Sequence, residues 1–133
     1  MMMALDTTRD LTQDLDQALQ AHGAWKQRLR AAAVHKEVDL PVNSICRDDC
    51  CRFGRWLYSL PAEKRDSPEA RTVQRLHAQF HRAAGAVANM IEDGMFDQAL
   101  SSLATGGYPQ VRAELTRAVV DWKVALMREA RAA

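Results

Sequence analysis

Residues 11–32 read LTQDLDQALQAHGAWKQRLRAA, and within them Leu11, Leu15, Ala18, His22, Trp25, Leu29 and Ala32 recur at steps of 4, 3, 4, 3, 4 and 3. Those steps trace one face of a helix with about 3.6 residues per turn, so the segment predicts a long amphipathic helix with a histidine in the middle of its apolar seam. A stripe of that length can be buried only against other helices, and the rest of the chain supplies them. Val73, His77, Phe80, Ala84, Val87 and Ile91 step by 4 and 3 in the same way, after Ser67-Pro68-Glu69 and before Gly94. A capping hydroxyl, a proline in the first turn and an acid at the positive end of the dipole mark a start, and glycine marks the end. Val111, Leu115, Ala118, Trp122 and Ala125 predict a last long helix, and Phe96, Ala99, Leu100 and Leu103 a shorter one that stops at Gly106-Gly107.

Between the first two long helices, EVDLPVNSI breaks the pattern at Pro41 and Asn43. A short helix is expected to begin near Ser44 or Asp48 and to stop before Pro61, which places Cys51 near its start. No segment alternates as a strand would, and there is no repeat or low-complexity tail. The expected fold is all-α, an antiparallel four-helix bundle with an additional short helix, formed as one domain over residues 1–133.

Composition narrows the function. The chain has 133 residues, of which 47% are hydrophobic and 26% charged, so it can bury a core without disulfides and is not a disordered chain. Its 18 basic and 17 acidic side chains are spread along the sequence, leaving no strong field to attract nucleic acid or anionic lipid. No apolar run approaches the ~20 residues of a membrane span and the N-terminus does not resemble a signal peptide, so the expected location is the cytoplasm. Three cysteines in such a chain read as reduced thiols, available as ligands or redox groups.

The chemistry-bearing residues fall into three places. HAQFH sets His77 and His81 one helical turn apart, a spacing at which two imidazoles can share a metal ion. Alone, the pair reads equally as two unconnected histidines on an amphipathic helix, and His22 alone as a core histidine bonded to a carbonyl. Cys51 changes the weighing, because three imidazoles and one thiolate make a complete tetrahedral set of the kind that suits zinc rather than magnesium or calcium. Asp48, three residues before Cys51, is a candidate to orient a ligand histidine or tune the thiolate, or else a solvated helix cap. Gly54, one turn after Cys51, can leave room for imidazoles from neighbouring helices or serve a plain packing contact. Cys50 should diverge from Cys51 by about 100° around a helix, which makes it a small buried residue rather than a ligand, with a resolving thiol as its second reading. Cys46 reads as a bystander near a loop, and His35 as a surface residue at the end of the first helix.

Together AHGAWKQRL (21–29), CRFGRWL (51–57) and LHAQFH (76–81) resemble the signature of the chemoreceptor zinc-binding domain, in order and separation. The resemblance covers nearly the whole chain. It implies one zinc ion held by His22, Cys51, His77 and His81 in a helical bundle that usually dimerises, with Trp25, Gly54 and Trp56 beside the site. It also implies regulation rather than catalysis. Domains of this family serve bacterial chemoreceptors and zinc-inhibited diguanylate cyclases, and sense zinc or oxidants such as hypochlorous acid. The chain has neither a methyl-accepting coiled coil nor a cyclase domain, so its output is expected to pass through a chemotaxis or cyclic-di-GMP signalling partner, or it buffers zinc. Cys51 is then the redox-sensing residue, and a structural zinc site in an interaction bundle is the competing reading. A di-iron bundle of the hemerythrin kind needs several inward carboxylates and Glu-x-x-His pairs, which the sequence lacks, and four protein ligands would close the open position of a catalytic zinc. The expectation is therefore not an enzyme. A homodimer is expected, and the two amphipathic helices at the ends of the chain, with Trp122 in the last, are candidates for its surface, which the sequence does not separate from the internal core.

Overall fold

The structure, a computed structural model, describes residues 2–49 and 51–132, with side chains from residue 10 onward. Cys50, with its expected roles as a buried residue or a resolving thiol, lies outside the described residues. Among those described there are seven helices and no strand: α1 (Met2–His35), α2 (Val42–Ile45), α3 (Arg52–Ser59), α4 (Ala62–Arg65), α5 (Pro68–Glu92), α6 (Phe96–Thr105) and α7 (Gly107–Ala132). The fold is all-helical, and among the described residues no helix is long and apolar enough to cross a membrane.

Local chemistry sets the ends of the long helices. At the start of α5 the Ser67 hydroxyl accepts a hydrogen bond from the Ala70 N–H at 3.2 Å. At its other end Gly94 takes φ +76°, and the Met95 N–H reaches back to the Met90 carbonyl at 2.8 Å, the bond that closes a left-handed helix terminus. Helix α1 ends in the same way with a lysine in the glycine position: Lys36 has φ 56°, and the Glu37 N–H bonds the Ala32 carbonyl at 2.9 Å. The segment after Pro41 departs from the expected break. It winds into the single turn α2, a second single turn α4 follows Pro61, and the helix expected from Ser44 or Asp48 begins only at Arg52.

Every pair among α1, α5, α6 and α7 is in contact, while α2, α3 and α4 pack on α5. The seam of α1 is buried at Leu11, Leu15, Ala18, His22, Leu29 and Ala32, and Trp25 is half-buried at its edge. From α5, Val73, Phe80, Ala84, Val87 and Ile91 enter the same core, which is one contiguous cluster. Trp122 decides between the two readings that the sequence leaves open. It is 2% exposed and lies with its ring centroid 6.0 Å from that of Trp56, so it belongs to the internal core and is not available to a second copy. The apolar side chains that α7 turns outward are Val120, Val124 and Met127.

Candidate metal centre

Three segments meet inside this core. Helix α1 brings His22, α5 brings His77 and His81 from consecutive turns, and the residue before α3 brings Cys51. One donor atom from each of the four lies within 4.8 Å of every other. The three imidazoles are 4%, 0% and 3% exposed, respectively, whereas Cys51 is only half-buried. His22 meets the rings of His77, Phe80, Phe53 and His81 edge-on at 4.8–5.7 Å between centroids, so no water layer separates the histidines.

Burial dominates the electrostatics. It lowers the pKa of His22 to about 4 and of His77 to about 2, and it lowers that of His81 as well, so all three rings are neutral at pH 7 and carry a lone pair for a metal. Burial pushes the Cys51 thiol up, against the helix-start N–H groups of Gly54 and Phe53, which favour the thiolate. Cys51 is the N-cap of α3, and its sulfur accepts from the Gly54 N–H at 3.2 Å. The helix start alone does not outweigh burial, and a metal ion bound here would supply the positive charge that favours the thiolate.

Proton bookkeeping tests whether the group fits zinc. The Ile45 carbonyl can only accept, so His81 donates to it from Nδ1 at 2.9 Å, and the neutral ring keeps its lone pair on Nε2. That lone pair faces His77 Nε2 at 3.0 Å, and His77 Nε2 is in turn 3.3 Å from the Cys51 sulfur. His77 Nδ1 is buried with no hydrogen-bond partner among the described residues. With its proton on Nε2, His77 buries a bare lone pair at Nδ1; with its proton on Nδ1, two lone pairs oppose each other at 3.0 Å. A cation at the convergence of the donors removes that opposition. Tetrahedral zinc with Zn–N bonds of about 2.0–2.1 Å separates its nitrogen ligands by about 3.3–3.4 Å, within a few tenths of an ångström of the 3.0 Å between the His77 and His81 Nε2 atoms, and the full set of four donors lies within 4.8 Å. The donor set therefore fits zinc, and His22 and His81 carry the backbone partners that ligand histidines usually have, at the Ala18 and Ile45 carbonyls.

The neighbours named from the sequence take definite places. The Asp48 carboxylate accepts from the Tyr58 hydroxyl at 2.5 Å and not from a cluster histidine, and it contributes only at longer range, raising both the Cys51 thiol and His81. Gly54 makes room chiefly for backbone: a Cβ there would lie 1.6 Å from the Asp48 carbonyl oxygen, with His77 Cε1 behind at 3.3 Å. Trp56 stacks on Phe53, which is edge-on to His22 and His77, so it backs the site through one intervening ring. Trp25 lies under the Arg28 guanidinium at 5.0 Å and makes no ring contact with the cluster among the described residues. His35 is exposed at the end of α1. Cys46 is half-buried, with its thiol on the Asn43 carbonyl at 3.3 Å and its backbone against Gly85. The Ile45 carbonyl and Gly85 had no sequence signal, since a carbonyl is common to every residue.

Searches of curated proteins and of solved structures found no match. The family model of the chemoreceptor zinc-binding domain matches residues 22–88. That span opens on His22, runs past His81, takes in Cys51 and His77, and covers just over half of the chain. Such domains are regulatory zinc-binding parts of chemoreceptor signalling proteins, and in this chain His22, Cys51, His77 and His81 are close enough to coordinate the metal. With the motif, the donor geometry and the matched span all on the same four side chains, the chain belongs to the chemoreceptor zinc-binding domain family.

Proposed function

We propose that this chain is a regulatory sensor domain in which His22, Cys51, His77 and His81 ligate one zinc ion, and in which zinc occupancy or oxidation of Cys51 is the signal. The observation that carries the reading is the asymmetry of burial: three imidazoles are sealed in the core, and the sulfur is the one donor left half-exposed. Bound zinc keeps that sulfur as thiolate, and a zinc-bound thiolate remains a nucleophile. Attack of the Cys51 sulfur on hypochlorous acid yields sulfenic acid and chloride, the sulfur losing two electrons and the chlorine gaining them. The sulfenic acid is a poorer ligand, so α3, which Cys51 caps, is freed to shift against α1 and α5. The domain is read as non-catalytic, and residues 1–133 as one unit in which α1, α5, α6 and α7 form an antiparallel bundle. The outward stripe of Val120, Val124 and Met127 supports a homodimer through α7, which would pass the shift to a chemotaxis or cyclic-di-GMP signalling partner in the cytoplasm.

Elemental analysis of the purified protein tests the site. About one zinc per chain is expected, with a Cys51→Ser variant releasing it to a chelator that leaves the parent loaded. Absence of zinc from the reconstituted parent would end the reading. For the sensing step, near-stoichiometric hypochlorous acid should release zinc from the parent, read with a chromogenic chelator, together with an added oxygen on Cys51 by mass spectrometry. Zinc that stays bound and a Cys51 left unmodified would reduce the site to a structural one.

A further inference from the structure

Gly85 is buried on α5, one turn beyond His81. A Cβ built on it would meet Cys46 Cβ at 2.5 Å and Cys46 Cα at 3.0 Å. The chain at Cys46 thus rests directly on the backbone of α5, an approach that a side chain at position 85 would block. The residue before Cys46 is Ile45, itself 3% exposed, whose carbonyl accepts from His81 Nδ1 at 2.9 Å. Seat and acceptor are therefore consecutive residues of one strap, and the glycine and the imidazole lie four residues apart on one helix face.

Geometry links the two contacts. Relieving a 2.5 Å carbon–carbon contact requires the strap to retreat by about 1 Å, and a hydrogen bond that starts at 2.9 Å does not survive that displacement. Once released, His81 can place its proton on either nitrogen, and the form with the proton on Nε2 cannot bind a metal there.

We propose that Gly85 is a positioning residue of the zinc site: by seating Cys46 against α5 it holds the Ile45 carbonyl on His81, which fixes the imidazole in the tautomer whose Nε2 lone pair faces the other three donors. The inference rests on the zinc reading above and assigns part of the site's affinity to a residue that touches no ligand. Loss of such a backbone partner typically weakens metal binding about 10–100-fold.

The test measures zinc affinity by competition with a chromophoric chelator for the parent, Gly85→Ala and the double variant Gly85→Ala/Cys46→Gly, each shown to be helical by circular dichroism. Alongside it, the ¹⁵N shifts of His81 in the metal-free proteins report its tautomer. Gly85→Ala is expected to bind zinc about 10–100-fold more weakly, with His81 mixed between tautomers. The double variant removes the 2.5 Å contact and leaves Cys46 Cα at 3.0 Å, which a shift of a few tenths of an ångström relieves without breaking the His81 bond, so it should recover affinity to within about threefold of the parent, with a single His81 tautomer. A packing role alone would lower the melting temperature of Gly85→Ala while leaving the zinc affinity of the folded protein and the His81 tautomer unchanged, and that result overturns the proposal. Should Gly85→Ala not fold, the double variant decides: failure to restore a folded protein of near-parental affinity also overturns it. A parent that binds no zinc defeats the underlying reading instead, and is seen before any variant is compared.

Discussion

Replacement of Gly54 by alanine is expected to destabilise the metal-free protein by about 3 kcal/mol or more and to weaken zinc binding about a hundredfold. The added methyl would sit 1.6 Å from the Asp48 carbonyl oxygen and 2.8 Å from its carbon. Neither atom is the tip of a flexible side chain, so the backbone on one side must move. If α3 moves, it carries Cys51, whose sulfur accepts from the Gly54 N–H at 3.2 Å. If instead residues 46–49 move, they drag the strap that bonds His81. Either way a donor leaves the cluster, and stability and metal affinity fall together. Urea unfolding of the metal-free variant gives the first number and chelator competition the second. Gly107→Ala is the control, since a Cβ there meets nothing within 4 Å and both quantities should stay close to the parent's. A Gly54→Ala protein within about 1 kcal/mol of the parent would mean that the approach of Asp48 is not part of the native fold.

Residues that act through side chains were legible in the sequence, and residues that act through backbone were not. The seam from Leu11 to Ala32 could be read because burial of one helix face imposes a period near 3.6, and Ser67-Pro68 and Gly94 because caps need particular chemistry. His22, Cys51, His77 and His81 could be named because few side chains can ligate zinc. The strap could not. That Ile45 and Asp48 face the site with their carbonyls depends on where α2 lands on α5, and no side chain records it. The end of α1 at His35 was legible even though a lysine, Lys36, occupies the left-handed position that glycine usually marks. Gly54 was noticed, yet the room it leaves goes first to the Asp48 carbonyl and only behind it to an imidazole. Trp122, on an amphipathic helix at the end of the chain, looked equally suited to a dimer surface or a core until the ring was placed beside Trp56.

The metal-free state also stores a defect, and removing it should raise stability while abolishing function. His77 is 0% exposed, its Nδ1 has no partner among the described residues, and its Nε2 faces the His81 lone pair. A buried polar group without a partner costs about 1–3 kcal/mol, whereas an apolar group of similar shape restores packing. His77→Leu is therefore expected to leave the metal-free protein as stable as the parent or up to about 2 kcal/mol more stable, while tight zinc binding is lost. His77→Ala separates shape from chemistry: it leaves a cavity and should cost about 2–4 kcal/mol. Zinc reverses the ranking, because a ligand held only by the native state adds about 4 kcal/mol at a thousandfold excess over its dissociation constant. The zinc-loaded parent should then unfold at higher urea than His77→Leu, which no amount of zinc will rescue. The comparison needs only urea unfolding with and without zinc. A metal-free His77→Leu protein less stable than the parent by more than about 2 kcal/mol would identify His77 as a satisfied core residue instead. The opposite order, leucine stabilising without metal and indifferent to it, is the signature of a side chain kept in an apolar core for its metal.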